Sequence, residues 1–82
     1  MNNHAAIKFS YGAKRIFDDL PLARRQIVAL LAENLPDLVK RKEAKLLDTA
    51  RSPFRYRYSW RGITLEFAID PHQTPILLDI RA

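Results

Sequence analysis

Along the chain the apolar positions change period once, from 3.6 to 2, and that change divides the elements into two sets. Ile7 to Ser10 alternate apolar and polar and run into Tyr11-Gly12, the pattern of a short first strand closed by a turn. Ala13, Ile16, Phe17 and Leu20 then fall at i, i+3, i+4 and i+7, which places all four on one face of a helix. Pro21 has no N–H to donate and suits a first helical turn, so it ends this helix or starts the next. A second helix is predicted over residues 22–34, with Ala23, Ile27, Leu30 and Leu31 inward and Arg24, Arg25 and Glu33 outward. Leu35-Pro36-Asp37 breaks the pattern, and LVKRKEAKLL has room for another helical turn or two around Leu38, Val39, Leu46 and Leu47.

From residue 54 the period is 2. FRYRYSW predicts a strand over 54–60, Arg61-Gly62 a tight connection, ITLEFAI a strand over 63–69, DPHQTP a turn, and ILLDIR a strand over 76–81. The three form an antiparallel meander. Alternation puts Phe54, Tyr56, Tyr58 and Trp60 on one face and Arg55, Arg57 and Ser59 on the other. In the next strand Ile63, Leu65, Phe67 and Ile69 make the buried face, opposite Thr64, Glu66 and Ala68. An aromatic stripe at strand spacing is core before it is a base-stacking platform. The arginine face reads equally as a solvated surface, with Glu66 pairing across strands to Arg55 or Arg57, and as a working face. The economical arrangement is an α/β (α+β) fold: two N-terminal helices packed on one face of a small twisted antiparallel sheet, in one domain spanning 1–82.

Charge sharpens the picture. The chain carries 14 Lys+Arg against 9 Asp+Glu, net +5, with a pI near 10.0. The excess sits in residues 40–61, where Lys40, Arg41, Lys42, Lys45, Arg51, Arg55, Arg57 and Arg61 face only Glu43 and Asp48. A polyanion or an acidic protein surface is the expected partner. With no cysteine, disulfides and thiol chemistry are excluded, and a reducing cytoplasm is the expected compartment. The start, MNNHAAIKFS, lacks an apolar leader core, and the apolar run around IVALLA is too short to cross a bilayer, so no membrane role is expected. Only His4 and His72 occur, so metal-ligand spacing is missing and no cofactor or metal is expected.

Two stretches, IKFSYGAKRIFDDLPLARRQIVALL and KLLDTARSPFRYRYSWRGITLEFAID, together resemble the RelE/ParE superfamily of bacterial toxins from toxin–antitoxin pairs. The first is similar to the family's first strand, its first helix ending in Leu-Pro, and its second helix. The second is similar to its Leu, short loop, Tyr-Arg-x-Arg, turn, Arg, apolar-strand segment. The resemblance runs nearly end to end and implies two helices on an antiparallel sheet of about four strands, in the order β-α-α-β-β-β, with the first strand joining the later meander.

Members similar to RelE cut messenger RNA in the ribosomal A site without a metal. The resemblance thus implies a translation-inhibiting toxin held by a cognate antitoxin and acting with ribosome and mRNA, and it leaves a homodimer open. It places Arg55, Arg57 and Arg61 at the family's basic active-site positions, with Arg81 near the chain end filling part of that role on the side opposite Leu78 and Ile80. Lys40, Lys42, Lys45 and Arg51 are then the RNA-tracking residues. Guanidinium forks suit the chemistry, since attack of a ribose 2′-hydroxyl on phosphorus builds negative charge on the phosphoryl oxygens. Proton transfer is another matter: some relatives have lysine on this strand where this chain has arginine, which cannot serve as a base. The proton carriers left are Lys42, Lys45, Tyr58 and His72. The alternative on the same fold is a non-catalytic, ParE-like module that inhibits a protein target such as DNA gyrase.

Overall fold

The computed structural model of the chain describes residues 7–48, 50 and 54–82. In chain order they form β1 (Lys8–Phe9), α1 (Tyr11–Asp19), α2 (Leu22–Glu33), α3 (Leu35–Lys40), β2 (Lys45–Asp48), β3 (Arg55–Trp60), β4 (Ile63–Ile69) and β5 (Pro75–Arg81). The strands make one sheet in the order β1-β5-β4-β3-β2. The expected meander is β3-β4-β5, antiparallel throughout. Short β1 joins it in parallel beside β5, through Lys8↔Ile76 and Phe9↔Leu77.

Three helices and five strands replace the two and about four expected, and both additions arise in residues 35–48. Pro36 opens α3 rather than breaking a pattern, because the first N–H groups of a helix have no partner within it and a proline there forfeits nothing. Asn34 ends α2 and begins α3, its side-chain amide donating to the Leu30 carbonyl at 2.9 Å. Past α3, Lys42 takes a left-handed φ of 60°, and the Glu43 N–H returns to the Leu38 carbonyl at 2.9 Å. That reversal ends helical phase, so Leu46 and Leu47 fall in edge strand β2, paired antiparallel with β3, instead of extending a helix.

Burial within α2 also departs from the expected face. Val28 and Ala32 are its buried residues and continue into Leu35, while Ile27 and Leu31 flank them half-buried and Ala23 and Leu30 are exposed. Apolar residues populate α2 almost all round, so spacing alone leaves its rotation undetermined; small Ala32 faces the core where close approach is needed. In α1, Ala13 is buried, Phe17 and Leu20 are half-buried, and Ile16 lies at the exposed margin. Ser10 fixes that helix to the sheet: its Oγ accepts from the Ala13 N–H at 3.2 Å as an N-cap, and its own N–H donates to the Leu77 carbonyl at 2.8 Å.

The helices cover the side of the sheet carrying Ile63, Leu65, Phe67, Leu77 and Ile80, the apolar half of the core. Leu77 and Ile80, three apart, both point inward because the β4–β5 register shifts between Glu66 and Phe67, leaving Leu78 as the extra residue. Of the expected aromatic core face, Tyr56 and Tyr58 pack against the core, whereas Phe54 and Trp60 at the strand's two ends stay exposed. Ala68, expected on the open face, is nonetheless buried.

Two outcomes follow for stability. Phe67 is fully buried and stacks on Tyr56 at a centroid distance of 5.6 Å. Phe67→Ala should cost about 3–5 kcal/mol, and Tyr56→Ala, at a half-buried site, distinctly less, as read from denaturant midpoints. Asp70 organises the β4–β5 turn, accepting at Oδ1 from the His72 and Thr74 N–H groups at 2.9 Å each and meeting Lys8 Nζ at 3.1 Å. The Thr74 N–H is the main influence holding its carboxyl below the ordinary 3.8; burial works against it, and Lys8 and the His72 N–H assist. A carboxyl with a depressed native value stabilises fully above its unfolded pKa of about 3.9 and loses that contribution as pH falls through the native value. Asp70→Asn should lower the midpoint at pH 7 and flatten the decline below about pH 4. An unchanged acid limb would dismiss this role for Asp70.

Candidate functional site

The sheet side opposite the helices is built by alternation. Cross-strand pairing places Lys45, Arg57, Glu66 and Asp79 in one row over β2, β3, β4 and β5, and Ser59, Thr64 and Arg81 in the next. Arg55, Ala68 and Ile76 form the row on the other side. Because Leu65 and Phe67 commit β4 to the core, the residues between and beside them are turned outward. Three of the four expected active-site arginines, Arg55, Arg57 and Arg81, thereby share one face.

These guanidiniums are matched by carboxylates. One oxygen of Glu66 lies 3.2 Å from Arg57 Nη2 and the other 3.7 Å from Arg55 Nη2, so a single carboxylate joins both arginines. The cross-strand pairing expected as the plain surface reading is therefore present, and it engages both partners. Arg81 Nε lies 3.3 Å from Asp79 Oδ2. Ser59 and Thr64 hydroxyls are hydrogen-bonded at 2.9 Å beside them. Glu66 is the better shielded member, its side chain 17% exposed against 42–45% for the two arginines.

Arg61 departs from the expectation. With Gly62 it forms the two-residue β3–β4 connection, both at positive φ (46° and 82°). Its guanidinium sits 5.1 Å from the Trp60 ring centre, and Trp60 pairs with core residue Ile63, so Arg61 occupies the hairpin tip, not the arginine face. Lys45 joins that face as the cross-strand neighbour of Arg57. Lys40 ends α3 and Lys42 lies in the reversal after it; both are exposed and make no ion pair among the described residues. Arg51 falls outside the described residues. Of the expected proton carriers, Tyr58 belongs to the core side and His72 is exposed in the β4–β5 turn. Glu66, noted in the sequence as a counter-ion and not as chemistry, is the titratable side chain the fold brings to the centre. Its signal was its position between Leu65 and Phe67 on the middle strand.

A second feature lies on the helix side. An open groove of about 680 Å³ lies between α3 and the sheet, its lining including Val39, Lys40, Phe54, Tyr56, Ile69 and Asp70. Phe54, exposed just before β3, forms part of its lining.

No protein-family model matches the chain, and no curated protein matches it in sequence. Among solved structures it is similar to the isolated RelE toxin of E. coli, with a TM-score of 0.62 at 16% identity, over 92% of this chain and 80% of that one. It is likewise similar to a chain of the RelBE2 toxin–antitoxin complex of Mycobacterium tuberculosis, with a TM-score of 0.59 at 22% identity, over 96% of this chain and 98% of that one. The chain has a RelE-like fold.

The strained tip yields a test that separates stability from function. A left-handed backbone costs an arginine roughly 1 kcal/mol, a cost asparagine and glycine largely escape. Arg61→Asn should raise unfolding stability by about that amount in thermal or denaturant melts. A stability loss instead would show that the contact with Trp60 outweighs the strain.

Proposed function

We propose that this chain is the toxin of a toxin–antitoxin pair, a ribosome-dependent, metal-independent endoribonuclease that stops translation by cutting mRNA. The observation that carries the reading is the gathering of Arg55, Arg57 and Arg81 with the Ser59 and Thr64 hydroxyls and one carboxylate on the sheet face opposite the helices. That set supplies guanidinium forks for a phosphodiester and for the charge developing on it. Lys45 extends the positive charge along the same row, and Lys40 and Lys42 add charge near α3 that has no acidic partner among the described residues. The RelE-like fold supports the assignment, and the likeness to a chain crystallised as a toxin–antitoxin complex supports a cognate antitoxin as partner.

One observation favours a second reading. Because Glu66 and Asp79 already match the arginines, the face is less cationic than its sequence, and a protein-binding module of the gyrase-inhibiting kind needs no phosphate site. Induced expression in bacteria with mapping of transcript ends separates the two. The nuclease reading expects growth arrest with new ends inside translated codons, and Arg57→Ala should lower their frequency at least 100-fold while the protein stays folded. Arrest with intact transcripts and altered DNA topology would assign the protein-target reading.

Salt dependence gives an independent check. Affinity for programmed ribosomes or single-stranded RNA should fall log-linearly with salt at about 0.7 per phosphate contacted, and Lys45→Ala should flatten the slope by roughly that unit. A salt-independent affinity would rule out phosphate tracking by this face.

A further inference from the structure

The nuclease reading leaves a proton unaccounted for, since guanidiniums hold phosphates but cannot take the 2′-hydroxyl proton. Among the described residues, few groups around the arginine face are able to do so. The Ser59 and Thr64 hydroxyls are hydrogen-bonded to each other, Lys45 is a basic side chain on edge strand β2, and Asp79 lies on β5 with Arg81, one strand further from Arg55 and Arg57 than Glu66. Glu66 stands on the middle strand, facing Arg55 and Arg57 from β3 and Asp79 from β5, with both carboxylate oxygens oriented by different guanidiniums. Its neighbour two residues along β4 is Ala68, so no long side chain rises beside it on that strand.

We propose that Glu66 is the proton acceptor of the cleavage, and that Arg55 and Arg57, which orient it in the free protein, transfer to the phosphodiester when RNA arrives. One carboxylate shared by two guanidiniums leaves a surplus positive charge at the pair, and the 3.7 Å contact to Arg55 is the looser of the two. A phosphate entering at Arg55 and Arg57 stands next to the Glu66 oxygens it displaces. The ribose 2′-hydroxyl gives its proton to Glu66, O2′ bonds to phosphorus, and the P–O5′ bond breaks. The products are a 2′,3′-cyclic phosphate and a 5′-oxygen that takes its proton from water; Glu66 then returns its proton to solvent, restoring the balance. The role is distinct from that of a counter-ion, which would only hold the arginines in place.

This inference rests on the nuclease reading, and the test keeps the two apart. Wild-type protein and Glu66→Gln, both verified as folded, are assayed on programmed ribosomes for single-turnover cleavage and for binding to the same complexes. The expected result is cleavage by wild type, a 100- to 10,000-fold slower rate for Glu66→Gln, and binding by the variant as tight as wild type or tighter, since a competing negative charge is gone. Glu66→Gln cutting within about threefold of wild type, or losing binding in step with cleavage, would overturn Glu66 as proton acceptor and leave the nuclease reading standing. Failure of wild type itself to cut ribosome-bound mRNA would overturn both.

Discussion

Strict alternation on β4 is the constraint from which the rest of this structure follows. The strand occupies the middle of the sheet, and Leu65 and Phe67 are wholly buried under the helices on one side. A one-residue slip would bring Glu66 into the core and expose both Leu65 and Phe67, so the register is held by the full burial energy of those side chains. With β4 fixed, antiparallel pairing sets β3, and Arg55 and Arg57 have no freedom about which side they occupy. The apolar core thus positions the charged face without touching it.

Charge is distributed less simply than composition implies. Residues 40–61 hold most of the positive excess, yet the structure divides it. Arg55 and Arg57 share Glu66, Arg41 lies 3.5 Å from Glu43, and Arg61 rests on Trp60. Lys40 and Lys42 stay without acidic partners among the described residues. A face in which carboxylates already orient the guanidiniums is preorganised, and on the proposed function a phosphate would exchange one anion for another there instead of ordering loose side chains. That exchange unites the two readings of the arginine face, structural pairing and function, which sequence alone sets against each other.

Legibility followed physical periodicity. The β3-β4-β5 meander was readable because each strand alternates cleanly, and α1 and α2 because proline and apolar spacing delimit them. Within residues 35–48 the helical turn at Leu38 and Val39 was readable, but its start at Leu35-Pro36 and the strand at Leu46-Leu47 were not, since Pro36 can break a helix or begin one and Leu46-Leu47 carries no period of its own; the left-handed turn at Lys42 ended the helix, and a lysine does not advertise that conformation. Rotation of α2 was hidden by apolar residues on nearly every side. At the site, strand parity sufficed to bring Arg55 and Arg57 together. Parity against Ile80 likewise sided Arg81, whereas the inward turn of Leu77 required the β4–β5 bulge and the displacement of Arg61 to the hairpin tip required its positive φ, neither of which has a sequence signature here.

Under the proposed function, the sheet face carrying Arg55, Arg57, Glu66 and Arg81 is the one that would meet RNA on the ribosome. Hydroxyl-radical footprinting of the chain bound to programmed ribosomes tests it most directly, reading protection residue by residue. Strong protection is expected at Ser59, Thr64 and Ile76 on that face, with Leu22 and Leu30 on the exposed side of α2 still reactive. Protection centred on α2 and the groove at Val39 and Phe54, with the sheet face still reactive, would contradict it.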